Sequence, residues 1–161
     1  MEIVIILGLI FFNGILSMSE IAMVSARKSR LETAAKKGSK TAKTALRLAN
    51  EPDRFLSTIQ IGITLIGILT GLYSGEALAG DLARWLETIG IPQAHSLTLA
   101  KGIIVILVTY LTLILGELVP KHLGMNAPEK IARLIARPME VLSKIASPFV
   151  WLLSASTQAV I

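Results

Sequence analysis

Three groups of polar residues interrupt long apolar stretches of this sequence, and their spacing could assemble a binding site. Asn13, Ser17 and Glu20 follow one another at intervals of four and three residues, which places them on one face of a helix. Gln60 and Thr64 repeat the interval of four in the next apolar stretch. The third group closes the last apolar stretch and comprises Gly116, Glu117, Pro120 and Lys121.

The side chains of these groups that can coordinate an ion do so through oxygen, the ligand that hard cations such as Mg²⁺ prefer. Softer metals would favour thiolate or imidazole ligands, but the chain has no cysteine and its two histidines are far apart. Two backbone carbonyls can join the set. Gly62 has no side chain to cover its carbonyl, and Pro120 has no N–H to donate to the carbonyl of Gly116. The sequence therefore predicts a cation site built from oxygen atoms.

Each group also has a purely structural interpretation. Serine, threonine and asparagine often hydrogen-bond between neighbouring helices in membranes. Glu20 could pair with Arg27, and Glu117 with Lys121 at the favourable interval of four residues. These alternatives stay open from the sequence alone.

The elements that must position these residues are membrane helices. The sequence is 53% hydrophobic and 17% charged, with a mean hydropathy of +0.67, whereas about 25% of the residues in soluble domains are charged. A membrane crossing needs about 20 apolar residues, and three stretches provide them, at about 3–24, 55–74 and 98–119. The first has no basic residues before it, so we expect a retained helix, not a cleaved signal peptide.

Basic residues are distributed unevenly between the connecting segments, which predicts the orientation of the chain. Nine lie between the first two spans, and only Arg84 and Lys101 lie between the second and third. By the positive-inside rule, the first connection and the C-terminal segment are cytoplasmic and the N-terminus is outside. The expected location is the cytoplasmic (inner) membrane of a bacterium. The nine residues are Arg27, Lys28, Arg30, Lys36, Lys37, Lys40, Lys43, Arg47 and Arg54.

This orientation puts all three polar groups near the cytoplasmic ends of their spans, within about 15 Å of the membrane boundary at 1.5 Å per residue. We therefore expect them to share a cavity that opens toward the cytoplasm.

Two further segments are predicted as juxtamembrane helices, at about 26–50 and 128–161. The first is rich in helix formers and should end before Pro52; it is either solvated or lies along anionic lipid headgroups. Pro138 and Pro148 are expected to break the second segment into short pieces. A soluble domain is expected to follow.

A small residue recurs every four positions along the second span, at Gly67, Gly71 and Gly75. Such a pattern favours close helix packing, either within one bundle or between two copies of the chain. Because three helices enclose little space for an ion path, we predict a homodimer.

Three motifs resemble the transmembrane domain of the CNNM/CorC family, in the branch labelled hemolysin-like or HlyC/CorC-type. They are Ser17-Met18-Ser19-Glu20-Ile21-Ala22, residues 56–65 (LSTIQIGITL) and Gly116-Glu117-Leu118-Val119-Pro120-Lys121. Their order and spacing match the family, and the resemblance covers essentially the whole chain.

The resemblance implies an all-α homodimeric exporter of Mg²⁺ that is driven by Na⁺ entry, with three spans per protomer. It also implies a cytoplasmic pair of CBS domains, which these 161 residues do not include. Ile63 departs from the family, because established Mg²⁺ transporters usually carry asparagine there. The positions that match the family's site are Asn13, Ser17, Glu20, Gly62, Glu117, Pro120 and Lys121.

Other functions remain as alternatives to Mg²⁺ export. The chain could anchor a CBS-domain sensor without transporting anything, or it could carry a polyamine or Co²⁺. An enzyme is not expected, since no nucleophile–base pair or H-E-x-x-H motif occurs. Nucleic-acid binding is not expected either, because the basic residues lack interleaved aromatic residues.

Overall fold

A computed structural model describes all 161 residues, and its regular structure is entirely helical, as predicted. A five-residue π-helical turn, Ile114–Leu118, connects α5 to α6. The helices are α1 Glu2–Ser25, α2 Lys28–Lys36, α3 Lys40–Asn50, α4 Pro52–Thr88, α5 Gln93–Leu113, α6 Val119–Asn126 and α7 Pro128–Val160.

Three helical stretches are long and apolar enough to cross a membrane, which confirms the predicted number of spans. They are Glu2–Ser25, Pro52–Thr88 and Gln93–Asn126. The second is 37 residues long and rises about 55 Å at 1.5 Å per residue, so it extends well beyond the predicted stretch 55–74. Large apolar side chains on these helices are exposed, such as Phe11 at 70% and Ile106 at 73%, as expected for surfaces that face lipid.

The chain divides into two compact units, and the first comprises residues 1–15 and 63–120. Within it, α4 and α5 form a hairpin. Gly90 adopts a positive φ of 100°, which glycine tolerates without steric cost, and the N–H of Ile91 donates to the carbonyl of Leu86 at 3.2 Å. This arrangement is the usual C-terminal cap of an α-helix. Across the hairpin, the Ser96 hydroxyl donates to the Glu87 carboxylate at 2.7 Å.

Small apolar clusters along this hairpin explain why α4 continues past the predicted span. Ala79 packs with Ile104 and Val108, and Leu86 packs with Ala100. No proline occurs between residues 53 and 91, so nothing interrupts the helix before Gly90.

The second unit comprises residues 16–62 and 121–161. Its first connection differs from the prediction of one helix over 26–50, because two helices, α2 and α3, occupy this segment. Gly38 breaks the segment with a φ of 93°. The Ser39 hydroxyl then accepts a hydrogen bond from the N–H of Ala42 at 3.2 Å, which caps the start of α3. The end of α3 at Asn50 agrees with the prediction.

The C-terminal segment also differs from its prediction. Pro138 and Pro148 lie inside one continuous helix, α7, and do not divide it. A proline costs a helix one hydrogen bond and about 3 kcal/mol, but packing along one face can offset this loss. In α7 that face is buried through Ala132, Ile135, Ala136, Met139, Ser143 and Ala146, and α7 packs on α3.

Candidate cation site

The ten residues predicted to form the site are distributed over both units. The first unit contains Asn13, Thr64, Gly116, Glu117 and Pro120, and the second contains Ser17, Glu20, Gln60, Gly62 and Lys121. The predicted common cavity would draw on residues of both units, and it stays a prediction.

Within the first unit, the structure brings Asn13 together with the π-helical turn. The Asn13 side-chain amide donates a hydrogen bond of 3.0 Å to the carbonyl oxygen of Gly116. This is the carbonyl that Pro120, lacking an N–H, cannot satisfy. The sequence predicted that this carbonyl would be free for a ligand, whereas the structure assigns one of its two lone pairs to Asn13.

Glycines make this contact possible. A Cβ atom at Gly14 would lie 3.1 Å from the carbonyl oxygen of Leu115 and 2.9 Å from the Pro120 ring. A Cβ atom at Gly116 would lie 3.2 Å from the carbonyl oxygen of Ile10. Because Gly14 and Gly116 have no side chains, α1 and the π-helical turn approach closely enough for the Asn13 amide to reach a main-chain oxygen.

The other end of the Asn13 amide has no partner. Its Oδ1 atom is buried and accepts no hydrogen bond, and the residue is only 5% exposed. An unsatisfied buried acceptor costs about 1–3 kcal/mol, and such groups in native proteins require an explanation. An amide oxygen can coordinate a hard cation or accept a hydrogen bond from an ammonium group.

In the second unit, Ser17 shows the same feature. Its hydroxyl is buried without a hydrogen-bond partner, and the residue is 1% exposed. Two other buried hydroxyls bond to their own helix: Thr58 donates to the carbonyl of Arg54 at 2.8 Å, and Thr70 donates to that of Ile66 at 2.7 Å. Ser17 therefore has a hydroxyl free to bind a ligand.

Glu20 forms an ion pair with Lys121, with 3.8 Å between the carboxylate oxygen and Nζ. Their side chains are 28% and 32% exposed respectively. The alternative pairing of Glu20 with Arg27 is therefore wrong. Since α6 carries Lys121, this contact joins the ends of the first and third motifs within the second unit.

The second span contributes differently from the prediction. A Cβ atom at Gly62 would lie 2.7 Å from Cδ1 of Leu16, so this glycine makes room for a neighbouring side chain. Gln60 and Thr64 are exposed on α4. Neither belongs to a buried site within the single chain.

No group of three or more histidine, cysteine, aspartate or glutamate side chains comes together anywhere in the structure. The buried side-chain atoms without a hydrogen-bond partner are the neutral oxygens of Asn13 and Ser17, four residues apart in the sequence of α1. Neutral oxygens suit a cation that keeps part of its hydration shell, as Mg²⁺ usually does.

Sequence reasoning missed the π-helical turn and the role of Gly14. Short π-helical segments often occur at functional sites. One signal was present, because Pro120 four residues after Gly116 prevents a regular α-helical hydrogen bond there. Gly14 gave no signal of its own, since a lone glycine in an apolar stretch does not identify its neighbour.

Comparisons with known proteins identify the family of the chain. Residues 4–161 match the model of the CNNM family, described as the Cyclin M transmembrane N-terminal domain. The chain is 47% identical over 161 residues to UPF0053 protein sll0260 of Synechocystis, covering all of this chain and 36% of that protein. It is 31% identical over 157 residues to UPF0053 protein YhdT of Bacillus subtilis, covering 98% of this chain and 34% of that protein.

A third relative carries a functional name. The chain is 32% identical over 150 residues to the polyamine export protein of Escherichia coli, covering 93% of this chain and 33% of that protein. The chain thus spans about a third of the length of these curated relatives. These similarities are to a membrane domain of the transporter type, not to an enzyme. Because the family model matches nearly every residue, the chain belongs to the CNNM family and contains its transmembrane domain.

Proposed function

We propose that this chain is the membrane domain of a cation exporter. The observation that carries the proposal is the pair of unpartnered buried oxygens, Asn13 Oδ1 and Ser17 Oγ, on a membrane-spanning helix. Hydrocarbon offers such groups no hydrogen bonds, so polar residues at this depth commonly serve transport. The polyamine export protein among the relatives supports the same class of function.

Mg²⁺ is the first candidate cargo, with Na⁺ entry as the driving force. Mg²⁺ needs few protein ligands because it retains several waters, and this agrees with the absence of a carboxylate cluster. Gly116, Glu117 and Pro120 would contribute from the third span. Glu20 would supply a nearby negative charge, which Lys121 balances when no cation is bound.

A polyamine is the second candidate, and the name of the Escherichia coli relative favours it. An ammonium group donates hydrogen bonds and accepts none, so acceptors such as Asn13 Oδ1 and Ser17 Oγ suit it. Ile63 stands where established Mg²⁺ transporters usually carry asparagine, and this apolar side chain would suit the methylene groups of a polyamine.

The rest of the proposed assembly follows from the distribution of charge and from the family. The N-terminus would lie outside and the basic segment 26–50 in the cytoplasm of a bacterial cell. Two copies would associate as a homodimer, and a cytoplasmic CBS-domain pair would regulate them. If the chain does not transport, it would serve as the anchor of such a sensor.

Binding is tested by the thermal stability of the purified chain in detergent, titrated with Mg²⁺, Ca²⁺, Mn²⁺, Na⁺ and putrescine. A ligand at 100 times its Kd stabilises the folded state by about 2.7 kcal/mol, so the melting temperature should rise. Ser17→Ala should weaken this response about tenfold or more in concentration. Thr70→Val is the matched control, because the Thr70 hydroxyl is satisfied by its own helix.

Transport is tested by loading proteoliposomes with Mg²⁺ or putrescine and imposing a Na⁺ gradient. Flux of one cation that Ser17→Ala abolishes and Thr70→Val preserves would identify the cargo. Binding without flux of any cation would favour the anchor. If no cation changes the melting temperature, or Ser17→Ala responds like the wild type, the proposed site is wrong.

A further inference from the structure

A polar cavity lies in the unit formed by residues 16–62 and 121–161, away from Asn13 and Ser17 in the sequence. It has a volume of about 130 Å³, whereas a single water needs about 10–15 Å³. Its walls come from α3, from the start of α4 and from the middle of α7. The charged residues that line it are Arg47, Glu51, Arg54, Glu140 and Lys144.

Ion pairs in this cavity leave one positive charge without a partner. Arg47 pairs with Glu140 at 2.5 Å, and Arg54 pairs more loosely with Glu51 at 3.9 Å. Lys144 takes part in no ion pair. Three cations against two carboxylates give a formal charge of +1 in the cavity. This balance favours an anionic ligand.

Ser143 provides an independent sign of a ligand. The residue is 4% exposed and lines the cavity, yet its hydroxyl makes no hydrogen bond within the chain. Thr44 on the facing helix α3 does donate its hydroxyl, to the carbonyl of Lys40. A hydroxyl that lines a cavity beside unbalanced positive charge is a donor for an anionic oxygen.

The cavity lies close in sequence to the predicted start of the second span, which would place it at the edge of a membrane. Arg54 directly precedes Phe55, where the predicted second span begins. Further along the same two helices, Arg54 also lines a larger cavity of about 330 Å³. Its other lining residues are Asp53, Ser57, Ser147, Val150, Trp151 and Ser154. Beyond the basic group, α7 also exposes large apolar side chains, among them Phe149 at 60% and Trp151 at 70%.

We propose that this basic cavity binds the phosphate group of an anionic phospholipid. Lys144 and Arg54 would supply the charge, and Ser143 would donate a hydrogen bond to a phosphate oxygen. The adjoining cavity along Val150 and Trp151 would accept the glycerol and the first part of an acyl chain. A soluble phosphate would make no contact with the apolar side chains of Val150 and Trp151, which is why the lipid is favoured.

The test is lipid binding to the intact chain, measured by native mass spectrometry and by thermal stability in detergent. The probes are phosphatidylglycerol, phosphatidylcholine and inorganic phosphate. We expect one phosphatidylglycerol per chain to be retained and to raise the melting temperature, with phosphatidylcholine at least tenfold weaker. Lys144→Gln and Ser143→Ala should each weaken phosphatidylglycerol binding about tenfold.

Lys36→Gln is the control, because Lys36 is equally charged and exposed but lies on α2 outside the cavity. Lys144 is itself exposed, so its replacement should not unfold the chain. Equal binding of both lipids, or equal losses in Lys144→Gln and Lys36→Gln, would overturn the proposal. So would an identical stabilisation by inorganic phosphate alone. Cation flux plays no part in this readout, so its outcome is separate from that of the export hypothesis.

Discussion

At the scale of single residues, the glycines of this chain have two separate roles. At Gly14, Gly116 and Gly124 an added Cβ atom would meet another helix at less than ordinary contact distance. At Gly71 and Gly102 it would meet nothing within 4 Å. The first group allows helices within the chain to approach closely. The second group lies where no other part of the chain packs against the glycine.

Gly124→Ala should destabilise the chain. The new methyl group would lie 2.3 Å from Cγ2 of Ile21 and 2.8 Å from the carbonyl oxygen of Met18, and this backbone atom cannot move without shifting α1. Overpacking of this kind costs about 1–3 kcal/mol. The free energy of unfolding in mixed detergent micelles measures the effect. Gly102→Ala is the control and should be neutral or stabilising, since alanine is the better helix former; equal stability of the two variants would contradict the packing argument.

The environment of Asn13 could not be predicted from the sequence. Its type and its spacing from Ser17 and Glu20 indicated a polar helix face. The sequence could not show that its amide would bond to Gly116, 103 positions away. That contact depends on a close approach of two backbones, and residue spacing within one helix carries no information about it.

At the scale of elements, the N-terminus of α7 is tied to the segment that precedes α2. The Glu129 carboxylate accepts a hydrogen bond from the N–H of Arg27 at 3.3 Å and lies 3.7 Å from the Arg30 guanidinium. A carboxylate in the first turn also interacts favourably with the helix dipole. Hydrogen bonding to its own backbone N–H, then to that of Arg27, together with the nearby arginines, holds the pKa of Glu129 below its usual range, although burial opposes this.

This shift predicts how stability depends on pH. Because the pKa of Glu129 is lower in the folded state, its contribution is complete above the usual glutamate pKa of about 4.3 and is lost as the pH falls through the folded pKa. Glu129→Gln should therefore be less stable than the wild type at pH 7, and the difference should shrink below about pH 4. Unfolding free energies measured between pH 7 and pH 3 test this. Parallel curves for Glu129→Gln and the wild type would contradict the assignment.

The helix α7 shows that packing can outweigh local propensity. Pro138 and Pro148 each remove a backbone donor, and from the sequence they predicted three short pieces. The buried face of α7 repeats at helical spacing from Ala132 to Ala146, past Pro138 and up to the turn before Pro148, and α3 packs on this helix. Tertiary contacts of this kind routinely override local preferences.

At the scale of the whole molecule, the orientation in the membrane is open to a direct test. The chain contains no cysteine, so single cysteines can be introduced as labels. Lys37→Cys, between α2 and α3, should react with an impermeant maleimide only after the cells are opened. Gln93→Cys, at the start of α5, should react in intact cells. The reverse pattern would overturn the orientation predicted from the positive charges.

Association of two copies is the second prediction at this scale. Gly67, Gly71 and Gly75 lie on α4, and an added Cβ atom at each of them would have no neighbour within 4 Å. This stripe is therefore unused for packing within the chain, which leaves it available to a second copy. Gly71→Leu should reduce the dimer fraction about tenfold, as measured by energy transfer between labelled chains in vesicles. Gly102→Leu is the control, and equal dimer fractions for both variants would argue against the stripe as the contact.

The length and number of the apolar runs were enough to identify a helical membrane protein. Long apolar runs are unfavourable in water and favourable in lipid, so their length and number specified three membrane helices. The break between α2 and α3 was missed by the prediction of one helix over 26–50, although the left-handed Gly38 and the capping Ser39 act locally.

Only the tertiary structure decided which polar atoms find partners. Asn13 and Ser17 could equally have been satisfied by neighbouring helices, and Glu20 could have paired with Arg27. In the structure, Lys121 pairs with Glu20, whereas Asn13 Oδ1 and Ser17 Oγ remain without hydrogen bonds. Hydrogen bonds and ion pairs form over a few ångströms and join residues about a hundred positions apart, so their choice depends on how the helices pack and not on the spacing within any one of them.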